Sequence, residues 1–272
     1  MEILQLAFMQ RALLIGLIVG ALGATLGVFV VLKRLSFMGA GISHAAFGGI
    51  ALGYFLGWNP ILTAVIFCVS VGIGISMLIE SNQIKEDTAV GVFFTSTMAL
   101  GILLIGLKKG YNIDLFGYLF GNILAVSRED LIISLVIGVI ITFSLYFFYK
   151  ELTLSILDPE MARVIGLPLN FLNYLLVSLI ALFIVISVRI VGIILVSALL
   201  TIPAATALRW SKNLKKVLAI SLIDSLGCTA GGLTLSYYLD TASGATIVIL
   251  TTLVFFVSLL LNIVNRKIQP TA

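Results

Sequence analysis

Long apolar runs dominate this chain and decide what it can fold into. Each is close to the ~20 residues that an α-helix needs to cross the hydrocarbon core of a bilayer. Across 272 residues, 61% are hydrophobic and 10% charged, with mean hydropathy +1.22, against a usual charged share of about 25% in soluble domains. The loops between the runs are short. The reading is an all-α, polytopic membrane bundle forming one transmembrane domain over 1–272, with no soluble domain left over. The net charge of +4 therefore bears on orientation in the bilayer, and no nucleic-acid partner is expected. Cys68 and Cys228 both fall in apolar runs without metal-type spacing and read as small hydrophobes.

Hydropathy and punctuation together predict nine spans, near 8–32, 37–57, 60–80, 88–107, 129–149, 168–188, 191–209, 214–236 and 244–265. Merging the sixth and seventh across Arg189–Val191 would give eight. Between the fourth and fifth lies IDLFGYLFGNILAV, apolar but too short to cross, which reads as a helix dipping in from one surface and buried against protein. On the nine-span map Lys33, Arg34, Lys85, Lys150, Arg163, Arg209, Lys212, Lys215, Lys216, Arg266 and Lys267 share one face. Arg11, Lys108, Lys109, Arg128 and Arg189 fall on or near the other. The richer face is expected in the cytoplasm, with the N-terminus out and the C-terminus in.

His44 is the chain's single histidine, and it lies inside the second apolar span in MGAGISHAAFGGIALG. An ionisable group at membrane depth costs ~2–3 kcal/mol or more and marks a functional candidate. A neutral imidazole is also a common transition-metal ligand. The plainer alternative is an interhelical hydrogen bond and nothing else. Gly41, Ala45, Gly49 and Gly53 recur at every fourth position and permit close backbone approach. Ala40, His44 and Gly48 form the neighbouring ridge, which suggests space beside the imidazole, although tight packing produces the same pattern.

No GxxxxGK[ST] loop occurs, so a P-loop nucleotide site is absent. Asp224 is the one acid placed deep in a span. It reads either as a structural, hydrogen-bonded group or as part of an ion path. A proton- or sodium-driven carrier needs more than one such acid, or broken helices holding its coupling ion. No serine–histidine–acid grouping points to an enzyme. Pro203, in LLTIPAATA, frees a carbonyl near Leu199 and reads as a hinge beside Ser197, Thr201 and Thr206, or as an ordinary membrane proline. Glu129 and Asp130 read as a solvated helix start.

After the fifth span, DPEMARVIGL predicts a short helix. Asp158 caps it, Pro159 opens it, Glu160 suits its dipole, and Gly166 and Pro168 end it. Met161, Ile165 and Leu167 are available to enter a groove on another protein.

DPEMARVIG resembles the cytoplasmic coupling segment of importer-type ABC permeases, the acid–x–x–x–Ala–x–x–x–Gly pattern on which the ATPase pushes. MGAGISHAAFGGIALG, DLFGYLFGNILAV, RIVGIILVSALLTIPAATA and LDTASGATIVIL resemble, in order along nearly the whole chain, the permease of bacterial zinc and manganese ABC importers. The resemblance implies a helical bundle of the vitamin- and siderophore-importer kind in the bacterial inner membrane. It also implies a second permease copy, two ATPase subunits and an extracytoplasmic metal-binding protein. Segment 158–167 becomes the coupling element through Asp158, Glu160, Ala162, Arg163 and Gly166, and 114–126 an outer gate helix. The family's metal-path histidine falls on His44, with Asp224, Asp114, Asn122, Pro203 and Thr201 as further path or gate candidates. Ala40 stands where the family commonly carries an acid, and Asn122 where it often does. The expected function is the membrane subunit of an ATP-driven importer of zinc, or else manganese, with no permanently bound cofactor and no enzymatic activity of its own. The alternatives are a stand-alone metal carrier and a chelate or siderophore permease on the same fold.

Overall fold

The computed structural model describes residues 7–81, 84–108, 121, 123 and 126–268. All elements among the described residues are helical: α1 (Ala7–Leu32), α2 (Ser36–Leu56), α3 (Pro60–Glu80), α4 (Glu86–Leu107), α5 (Arg128–Phe147), α6 (Tyr149–Leu157), α7 (Pro159–Val164), α8 (Leu169–Trp210), α9 (Leu214–Leu239) and α10 (Ser243–Ile268). Their ends follow local chemistry. Gly57 closes α2 in the left-handed conformation at φ 72°, and Asn59 then caps α3 by accepting from the Ile61 and Leu62 amides, with Pro60 first in the helix. Ser127 and Asp130 form a reciprocal capping box at the start of α5.

Eight helices are long and apolar enough to cross a membrane, and one of them, α8, runs for 42 residues. A straight helix of that length would extend roughly 60 Å, twice the hydrocarbon thickness. It does not run straight. Gly192 sits at φ 83° and ψ 162°, outside helical geometry. Near the start of α8, Asn173 accepts a hydrogen bond from Lys33 at the end of α1. Near its other end, Ala204 and Ala207 pack with Val28 of the same α1. Halfway between, a side chain at Gly23 would meet Phe183 and Leu199 together. The two halves of α8 therefore fold back on each other at Gly192, giving nine crossings from eight continuous helices. The sequence places this reversal at Arg189–Val191; helical geometry instead continues up to Gly192.

The hairpin of α8 and helix α1 form the centre, and α4, α5 and α10 are peripheral, with about a fifth of their apolar windows buried. Helix α2 packs between α3, α4 and α8. Its glycines carry those contacts. A Cβ at Gly49 would stand 2.7 Å from Ala64 Cα, at Gly53 2.7 Å from Pro60 Cα, and at Gly48 2.6 Å from the Thr97 carbonyl oxygen. The ridge beside His44 is thus filled toward Gly48 by the backbone of α4, a correction to the open space that the small residues suggest.

The faces sort as the charges suggest. Glu80, closing α3, accepts from Asn173 Nδ2 at 3.0 Å and from the Tyr174 hydroxyl at 2.9 Å, which places the ends of α1 and α3 and the start of α8 on one face. Burial pushes the Lys33 ammonium below its ordinary value, and the Glu80 carboxylate opposes the shift. On the opposite face Arg189 pairs with Asp130 at 3.3 Å, tying the tip of the α8 hairpin to α5. Asp130 is therefore cap and ion-pair partner, more than the solvated helix start expected.

Candidate functional site

Of the residues Gly41–Ala51, only His44 is not buried. The reason is its place on α2, at the edge of the α2–α4 seam, where its ring lies 4.4 Å from that of Phe94 at 64°. Such an edge-on contact fixes the ring plane, and the imidazole stays partly exposed.

Helix α2 and the second half of α8 run antiparallel beside this edge. Ser197 Oγ donates to Ser43 Oγ at 3.5 Å, Ser43 Oγ donates to the Gly39 carbonyl at 2.7 Å, and a Cβ at Gly39 would stand 3.3 Å from Leu200. Ser197 and Thr201, one turn apart, keep partial exposure, as does Ala40 one turn from His44. The result is one stripe of an imidazole and hydroxyl oxygens at membrane depth. Ser43, fully buried behind the stripe and bonded to Ser197, is the residue that sequence reasoning missed. Its position next to His44 in the chain was the available signal.

Pro203 lies one turn beyond Leu199–Leu200, and that turn is held hard against α1. A Cβ at Gly23 would stand 3.0 Å from Leu199 Cβ, and one at Gly27 2.4 Å from the Leu200 carbonyl oxygen. The proline breaks the hydrogen-bond ladder where close contact with α1 stops the helix from drifting.

Asp224 is not brought to this stripe. It lines a groove with Thr206, Trp210 and Ser258, and its Oδ1 accepts from Cys228 Sγ at 3.4 Å. Thr206 is nine positions from Ser197, two and a half helical turns, and so on the opposite side of α8. Thr206 consequently leaves the polar lining expected for it. Asp114 and Asn122, and most of the 114–126 element, lie outside the described residues. Three residues at its end are described: Ile123 and Val126 are buried in the core, and Gly121 adopts φ 66° with its Cα against the Val191–Gly192 backbone.

On the Lys33 face, Asp158 Oδ1 accepts from the Met161 amide at 2.9 Å and caps α7. Gly166, at φ 80°, closes it, with the Leu167 amide returning to the Ala162 carbonyl at 3.0 Å. Ala162 is fully buried, while Glu160, Arg163, Met161, Val164 and Ile165 are exposed. Leu167, expected on the outward surface, packs against the core instead. Val164, 81% exposed, takes its place.

No group of three or more histidine, cysteine or acidic residues could hold a metal ion among the described residues. Both cysteines are free and buried.

Against known proteins the chain is matched over residues 5–262 by the family model described as the ABC 3 transport family. It is 38% identical over 258 residues to the manganese transport system membrane protein MntC of Listeria monocytogenes, covering 95% of this chain and 92% of that one. It is 37% identical over 249 residues to the high-affinity zinc uptake system membrane protein ZnuB of Haemophilus influenzae, covering 91% and 95%. Among solved structures, PsaBC from Streptococcus pneumoniae in complex with Fab aligns with TM-score 0.85 and 37% identity, covering 94% of this chain and 93% of that one. With eight helices long and apolar enough to cross a membrane among the described residues, a match along nearly its whole length and that shared fold, the chain is a multi-pass membrane protein belonging to the ABC 3 transport family.

Proposed function

We propose that this chain forms the membrane path of an ATP-driven importer for a divalent transition-metal ion, manganese or zinc. The observation that carries the reading is the His44 stripe: one nitrogen ligand and the hydroxyls of Ser197 and Thr201 at membrane depth, without a closed ligand cluster among the described residues. Permeation requires binding weak enough to release, and a histidine with hydroxyls offers that where a cluster of thiolates or acids would trap the ion. The names of MntC and ZnuB, a manganese and a zinc system at almost equal identity, support the ion class. The stripe opens on the surface of one protomer, so a second copy facing it would complete the path around His44.

Energy comes from a separate ATPase pair, engaged through Asp158–Gly166 on the cytoplasmic face, and the ion arrives from an extracytoplasmic binding protein. Alternating access then moves the α8 hairpin, with Pro203 as its hinge and the 114–126 element, including Asp114 and Asn122, as outer gate. Radiolabelled manganese and zinc accumulation, in a host lacking its own importers and supplied with the partner subunits, tests this. His44→Ala should abolish accumulation while the complex still assembles. Normal accumulation in that variant overturns the path assignment.

A further inference from the structure

On the far side of α8 from His44, two hollows join at Trp210. The first, about 430 Å³, lies at the basic face and is lined by Arg209, Trp210, Ser211, Lys212 and Asn262 with Leu208 and Ile263 at its sides, and no carboxylate lines it among the described residues. The second, about 300 Å³, continues toward membrane depth between the second half of α8, α9 and α10, walled by Ile220, Ile223, Val254, Val257 and Leu261. The shape is a polar mouth with an apolar tail.

Each part has an unmet requirement. Arg209 Nε is buried without a hydrogen-bond partner among the described residues, although its guanidinium is already held in place 5.7 Å from the Phe255 ring centre. The Arg209 carbonyl accepts from Asn262 Nδ2 at 2.8 Å, which fixes the backbone of the mouth. Lys212, Lys215 and Lys216 are exposed within the next two turns. In the tail, Ile223 is 72% and Leu261 49% exposed, while Trp210 is oriented at the rim by donating from Nε1 to Ser258 Oγ at 2.7 Å. Tryptophan with an apolar body and a satisfied N–H is the side chain of a membrane–water boundary. The second hollow is also lined by Asp224, whose Oδ1 accepts from Cys228 Sγ.

We infer that this groove binds an anionic phospholipid, its phosphate on Arg209 and Lys212 and one acyl chain along Ile223, Val257 and Leu261. Basic hollows between membrane helices suit anionic head groups, and a water-soluble anion would leave the apolar tail unused. Because the groove and the His44 stripe lie on opposite sides of α8, whatever covers that stripe leaves the groove facing the bilayer. The site is independent of which ion the chain carries.

Native mass spectrometry of the purified full-length chain in detergent, titrated with phosphatidylglycerol and, in parallel, phosphatidylcholine, provides the test. Phosphatidylglycerol should be retained over phosphatidylcholine by roughly thirtyfold, given about 1 kcal/mol for each of the two basic residues at a membrane surface. R209Q/K212Q should reduce it to the phosphatidylcholine level, and R209K/K212R should restore it. Lys212 is exposed, so K212Q alone leaves the fold intact and should produce an intermediate loss. I223W, which fills the tail, should lower retention as well, and glycerol 3-phosphate should fail to displace the lipid. Equal retention of the two lipids, no change in K212Q and R209Q/K212Q, or displacement by glycerol 3-phosphate would each overturn the assignment. So would expulsion of the lipid when the ATPase subunits bind, which would make the mouth a protein-docking surface.

Discussion

A single imidazole keeps partial exposure at membrane depth while every other residue from Gly41 to Ala51 is buried. The sequence made the histidine conspicuous through its isolation, but it could not say which way the ring points. Small residues at every fourth position are compatible with a cavity or with backbone contact, and the contact between Gly48 and Thr97 shows that contact won on that side. Ala40 is different, since it keeps partial exposure on the same side as His44. An acid four residues before a histidine on a helix shares its face. Ala40→Asp should therefore add a carboxylate ligand beside the imidazole. The expected outcome is tighter manganese binding by the purified permease, at least several-fold by equilibrium dialysis, with slower release and lower transport turnover. Unchanged affinity would show that the Ala40 side of α2 does not face the ion.

At the scale of elements, two glycines at positive φ separate backbone strain from crowding. Gly166 ends α7 at φ 80° with nothing within 4 Å of where a Cβ would stand, whereas a Cβ at Gly121 would lie 2.3 Å from the backbone of Val191 and Gly192. An L-residue in the left-handed region costs about 1–2 kcal/mol. Gly166→Ala should show only that local cost, fraying α7 while the thermal unfolding of the detergent-solubilised bundle stays where it was. Gly121→Ala adds a collision at the tip of the α8 hairpin and should lower the unfolding temperature clearly. Equal, small effects would mean that the Gly121–Gly192 contact gives way easily. The all-helical membrane bundle, the short α7 helix and its caps were legible in the sequence, because hydropathy and capping residues act locally. The position of the hairpin reversal was not, since Gly192 is one glycine among 25 and only packing of both halves of α8 against α1 selects it. Nor was the separation of Asp224 from His44, which depends on the rotation of α8 between them.

For the whole molecule, the proposal requires force to enter at one face and ions to pass at another depth, with α7 as the point of entry. Its buried Ala162 anchors it, while Met161, Val164 and Ile165 project with Glu160 and Arg163. Apolar knobs rimmed by both charge signs suit a groove on a partner. Arg163→Glu should weaken ATPase docking, by ~2–5 kcal/mol if the contact desolvates that charge. Co-purification with the ATPase, permease-stimulated ATP hydrolysis and metal accumulation should fall together, while the permease alone keeps its unfolding temperature. Single cysteines at Val164 and Arg128, with Cys68 and Cys228 replaced by Ala, should be labelled by a membrane-impermeant thiol reagent from inside and outside respectively. Labelling of both from one side would overturn the orientation inferred from the basic residues. Undiminished docking and hydrolysis in the charge-reversed variant would remove α7 from the coupling role and leave the His44 path standing. A purified permease that concentrates metal against a gradient without any ATPase would remove both the coupling and the dependence on a partner, because the driving force would then have to arise within these helices.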